Sequence, residues 1–123
     1  MPSVGDMTPE AFFADHPDAM AVYRNVLRML EPLGAVTVRA SRSQVAFRRR
    51  RGFAYLWMPG MYLARPAAEV VLSIALDREL VSSRFKEVVH PSPRIWMHHL
   101  EIHSLDDLDD EVRDWLRAAC EAA

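Results

Sequence analysis

With 123 residues, half of them apolar and about a quarter charged, the chain has the length and balance of one ordinary globular domain, and not of a disordered segment. No apolar run approaches the ~18 residues of a membrane span. The N-terminus carries Asp6 and Glu10 where a signal peptide would carry bases, and the lone Cys120 allows no intrachain disulfide, so the expected compartment is the cytoplasm. The net charge of −2 gives no overall attraction to nucleic acid, although Arg48, Arg49, Arg50 and Arg51 form a basic run and residues 106–114 an acidic one.

Thr8-Pro9-Glu10 is a helix start: a hydroxyl cap, a proline in the first turn, and an acid at the positive end of the dipole. That helix is short, because Asp15-His16-Pro17 starts a second one. Met20, Tyr23, Leu27 and Leu30 then fall on one stripe until Pro32 and Gly34 end it. From here the apolar period changes to two. Val36 and Val38 alternate with polar neighbours, as do Val45 and Phe47 after the turn Ser41-Arg42-Ser43. Residues 49–52 predict a hairpin tip, with Gly52 supplying positive φ, and residues 53–58 the return strand, stopped by Pro59-Gly60. Residues 61–64 predict a short extended piece. Residues 70–76 predict a strand with Val70, Leu72, Ile74 and Leu76 facing helices. Its other side, Val71, Ser73 and Ala75, is small enough to floor a shallow groove. Residues 77–94 read as an irregular connection. Residues 95–102 predict the last strand, with Trp96, His98, Leu100 and Ile102 on one face. An Asp-rich start opens the final helix, buried through Leu108, Val112, Trp115, Leu116 and Ala119. The expectation is a single α+β domain over residues 1–123. It has two N-terminal helical segments, a mostly antiparallel sheet of about five strands, and a C-terminal helix packed on one sheet face.

Several constellations bear on chemistry. Residues 51–58, Arg-Gly-Phe-Ala-Tyr-Leu-Trp-Met, resemble the aromatic signature strand of an RNA-recognition motif. Context argues against that function, since the chain opens with helices and has no companion strand, so the aromatics are expected in the core and nucleic acid is not the expected partner. His98 and His99 point to opposite faces of a strand, and His99 and His103 lie ~13 Å apart along it, so no metal site is expected there. Asp106, Asp107, Asp109, Asp110, Glu111 and Asp114 could hold a hard cation loosely, but acids in a first helical turn cap it. No nucleophile elbow, phosphate loop or dinucleotide glycine pattern is present, and no nucleophile–base pair is visible, so an enzyme is the least supported class. Cys120, in the last helical turn, has its thiol pKa raised by the negative dipole end.

The segment 44–120 resembles the bacterial domain of unknown function 5655. The matching residues are Val45-Ala46-Phe47 with Phe53-Ala54, then Val71-Leu72-Ser73-Ile74 and Ser83-Arg84-Phe85. They continue with Trp96-Met97-His98-His99-Leu100-Glu101, and with Asp107 to Val112 leading to Trp115-Leu116. The resemblance implies a small α+β domain and supplies no reaction. A basic residue before the hairpin belongs to that pattern; Arg42 stands there. A fold-level similarity also links the chain to the small domain family that includes proposed frataxin-like iron chaperones, through its helix-then-sheet order and the acidic start of its last helix. That similarity makes loose iron handling the rival hypothesis, with RNA binding through the arginine hairpin as a further alternative.

The residues then favour a non-enzymatic binding module for a small anion or acidic peptide, with no cofactor and no metal. Arg42, Arg84, Lys86, Arg94 and His98 would converge on the ligand, and Trp96 would form a wall. The alternative for the cationic cluster is pairing with Asp77, Glu79 and Glu87. A homodimer through Trp57, Met58, Met61 and Tyr62 is expected if they are exposed.

Overall fold

The computed structural model describes residues 7–123. Asp6, part of the N-terminal argument above, lies outside them. Thr8 accepts the Ala11 N–H at 3.0 Å and Pro9 stands in the first turn, so α1 (Pro9–Phe12) begins at its predicted cap and lasts one turn. α2 (Pro17–Leu30) buries Ala19, Val22, Tyr23, Val26 and Leu30. Met20 and Leu27 only flank the core, so the buried arc is rotated from the predicted stripe. A 3-10 turn through Pro32 ends at Gly34, φ 63°, and Ala35 follows at φ 50°.

Six strands follow: β1 (Thr37–Ala40), β2 (Val45–Arg48), β3 (Gly52–Trp57), β4 (Val70–Leu76), β5 (Glu87–Ser92) and β6 (Ile95–Ile102). They form one sheet in the order β1-β2-β3-β4-β6-β5, with every pairing antiparallel. β5 corrects the reading of residues 77–94 as irregular. It lies at the sheet edge and is largely exposed, so it has no alternating apolar pattern. An edge strand also tolerates Pro91, which falls in the register shift between Val89 and Ser92. Residues 61–64 are not extended either; they leave a 3-10 turn at Pro59–Met61 and stay irregular.

Register fixes the two faces. The rows Val45–Leu56–Leu72–Leu100 and Phe47–Ala54–Ile74–His98 run across four strands and face inward. α2 and α3 (Asp110–Ala122) cover this face, and α3 contributes Val112, Leu116, Ala119 and Cys120. Each large apolar side chain buried there contributes about 1.5–3 kcal/mol. Between Phe47 and Arg48 the pairing slips, leaving Phe53 without a partner; it joins the core beside Ala54, as both side chains of a bulge can. Tyr55 and Trp57 follow the ordinary alternation onto the opposite face, which corrects the expectation that the β3 aromatics are core residues.

Gly52 also differs from expectation. It is not among the positive-φ residues. Its missing side chain instead makes room for the Tyr55 ring, whose hydroxyl would overlap any Cβ at that position.

Candidate functional site

The face of the sheet turned away from the helices carries the row Arg39–Ala46–Tyr55–Ser73–His99–Glu87 and, beside it, Trp57–Val71–Glu101. In its middle lies a groove of about 430 Å³ lined by Ser43, Gln44, Tyr55, Trp57, Tyr62, Ser73, Met97 and His99. Of the small side of β4 predicted from the sequence, Ser73 alone lines the groove; Val71 and Ala75 do not. β3 adds two aromatic side chains, and the irregular segment after the Pro59–Met61 turn brings in Tyr62. The Trp57 and Tyr62 ring centres are 6.4 Å apart.

Three polar groups are locked together at its base. Trp57 Nε1–H donates to Ser73 Oγ at 2.8 Å, and Ser73 Oγ lies 2.6 Å from His99 Nδ1. The indole nitrogen can only donate, so the serine oxygen accepts from it and its own hydrogen is available to His99 Nδ1. With Ser73 donating to Nδ1, neutral His99 carries its ring proton on Nε2. That nitrogen has no protein partner among the described residues, yet no buried side-chain nitrogen there is unsatisfied, so Nε2 is reachable by solvent or a ligand. Burial lowers the His99 pKa below its ordinary value; Glu87 opposes the shift and His98 adds to it. The His99 and Trp57 ring centres are 6.0 Å apart and the two planes stand nearly at right angles. The sequence shows no nucleophile–base pair, and the fold brings a serine and a histidine into hydrogen-bond contact. Ser73 is 3% exposed and already accepts from Trp57, so it is held as a positioning group and is not presented as a nucleophile.

The cationic cluster expected from the sequence does not gather in this groove. Arg84 lies at the other side of the molecule, against the start of α3. Its Nη1 reaches Asp109 at 3.0 Å and Glu111 at 2.9 Å, its Nη2 donates to Asp107 O at 2.8 Å, and its guanidinium lies 5.5 Å over the Trp115 ring. Lys86 pairs with Glu101 at 3.0 Å. These partners differ from the acids proposed in sequence, Asp77, Glu79 and Glu87. His98 is fully buried on the helix side: its Nε2 accepts Leu80 N–H at 3.0 Å, and Nδ1–H donates to Ile74 O at 3.2 Å. Trp96 stacks on His90 with ring centres 3.6 Å apart. Arg94 is exposed beside the C-terminal end of α3. None of the six lines the groove; Arg42 is exposed in the β1–β2 turn, next to the lining residue Ser43.

Other candidate features have structural partners. Arg49 donates to Leu33 O and Arg51 to Ala122 O, each at 2.9 Å, so two hairpin arginines satisfy carbonyls at helix ends. Asp107 completes a capping box with Ser104, and Asp109 caps α3 by accepting Val112 N–H at 3.1 Å. Among the described residues no group of three or more metal-ligating side chains stands close enough to share an ion. Cys120 is buried, and desolvation is the main force raising its thiol pKa. Met58 is buried and Trp57 half-buried, whereas Met61, Tyr62 and Leu63 are 49%, 62% and 53% exposed. No helix is long and apolar enough to cross a membrane among the described residues.

The model of the family described as Domain of unknown function (DUF5655) matches residues 10–123, a longer stretch than the 44–120 that carry the resemblance in sequence. No curated protein and no solved structure matches the chain.

Proposed function

The chain belongs to the DUF5655 family, and for it we propose the role of a small-molecule binding module whose ligand lies in the groove on the open face of the sheet. The single observation that carries this reading is the Trp57–Ser73–His99 hydrogen-bond chain. It fixes an aromatic wall and aims one ring N–H outward before any ligand arrives. Groups held in place beforehand lose little freedom on binding, which is where much of a small site's affinity comes from. Size supports the reading, since about 430 Å³ lies in the range of small-molecule sites. The lining suits a planar ring with a hydrogen-bond acceptor: Tyr55, Trp57 and Tyr62 offer faces and edges, and His99 Nε2–H offers a donor. Gln44 and Ser43 add polar groups at the rim.

The test is saturation-transfer NMR with a set of neutral fragments such as indole, benzimidazole and adenine, on the native protein and on Trp57→Ala. Binding by ring fragments, lost in Trp57→Ala, is the expected result. Fragments that fail to bind, or that bind equally well without Trp57, would remove the reading.

A further inference from the structure

We propose that the ligand of this groove joins its planar ring to an anionic group, the ring on the aromatic wall and the anion towards Arg39 and Arg42. The inference rests on the groove being the binding site and adds the ligand's charge and direction. It comes from the way charge is distributed across the open face.

Arg39 stands in the same cross-strand row as Tyr55, Ser73 and His99, on the groove's face and two strands from Tyr55, or about 10 Å at the usual strand spacing. In the row itself only Ala46 stands between them; Arg39 does not line the groove, and its long side chain would have to reach over Ala46 to meet an anion at the rim. Arg42 lies in the β1–β2 turn whose next two residues, Ser43 and Gln44, line the groove. Among the described residues neither arginine meets a carboxylate within ion-pair distance. The other end of the row is acidic. Glu87 stands opposite His99, and Glu101 lies two residues further along β6, in the next row, already held by Lys86. An anion at that end would be repelled by Glu87; at the β1–β2 end it would meet two planar forks suited to bidentate binding. The groove therefore has a direction: ring in the middle, acceptor atom at His99, negative charge at the β1–β2 rim.

The test compares neutral and anionic partners of the same ring by isothermal titration calorimetry: adenosine with adenosine 5′-monophosphate, and indole with indole-3-acetate, with inorganic phosphate alone as the ringless arm. The expected result is that at least one anionic compound binds about tenfold more tightly than its neutral partner, and phosphate alone does not bind. The preference should fall to within about twofold in Arg39→Ala combined with Arg42→Ala, and should shrink as salt is raised. The two pairs separate a phosphate ligand from a carboxylate one. Neutral rings that bind as tightly as both anionic partners would overturn this inference and leave the groove reading standing. Phosphate binding as well as the nucleotide would overturn it too, because the ring would then contribute nothing. Loss of all binding in Trp57→Ala, with the charge preference intact beforehand, would support both; no binding by any ring compound would remove both.

Discussion

Ser73 holds two ring nitrogens at once, and its hydroxyl is the smallest change that can disturb the site. Ser73→Ala keeps the shape of the groove floor but leaves the Trp57 indole N–H and His99 Nδ1 without their partner. We expect a loss of about 1–2 kcal/mol in urea unfolding, with a shift in Trp57 emission. A cost near zero would mean that water replaces the hydroxyl. His99 gives a pH signature whose sign can be worked out. Its pKa is lowered in the fold, mainly by burial, so just below the ordinary value of about 6.5 the unfolded chain binds more protons than the native one. Its contribution to stability is therefore complete above that pH and declines as pH falls towards the folded value. Thermal melts between pH 8 and 5 should show a decline that is shallower in His99→Gln; equal slopes would contradict the assignment. Ala35, at φ 50°, is a residue that pays for its conformation. Ala35→Gly should raise stability by up to about 1 kcal/mol, read as a higher denaturation midpoint.

Arg84 and His98 act at the level of elements, because each ties the connection after β4 to something more rigid. Arg84 joins that connection to the cap of α3, and His98 accepts the Leu80 N–H from within β6. Arg84→Ala should cost roughly 1–2 kcal/mol. Much of that should appear as coupling to Asp109 in a double-mutant cycle, even though exposed ion pairs are weak individually, because the guanidinium also satisfies Asp107 O. His98→Leu keeps the bulk but strands the Leu80 N–H and removes an extra donor from the Ile74 carbonyl. We expect a loss on the order of 3 kcal/mol and faster amide exchange at Leu80. The same elements explain what sequence could and could not reveal. β4 and β6 are legible because burial on one face imposes alternation. β5 is not, because an exposed edge strand needs no apolar pattern and contains Pro91. In sequence Arg84 and Lys86 read as a cationic cluster because their partners, Asp109, Glu111 and Glu101, lie 15 to 27 residues away and meet them only through the fold.

At the scale of the whole molecule, one sheet face builds the core with α2 and α3 and the other carries the groove proposed as a ligand site. That division is legible in the alternation Val70–Leu76, of whose small side Ser73 alone lines the groove. The identity of the groove's working groups is not legible, because Trp57, Ser73 and His99 come from three strands and meet only once the β3–β4–β6 register is known. The bulge at Phe53 hides it further, sending one aromatic of β3 inward and the next two outward. The three tryptophans now stand at three different places: Trp57 in the groove, Trp96 against His90 at the sheet edge, and Trp115 beneath Arg84 at the start of α3. Indole N–H resonances in a ¹⁵N correlation spectrum therefore report on all three at once. Titrated with a ring compound that binds, the protein should show the Trp57 indole signal moving while those of Trp96 and Trp115 hold still; movement at Trp96 or Trp115 with Trp57 unmoved would contradict the account.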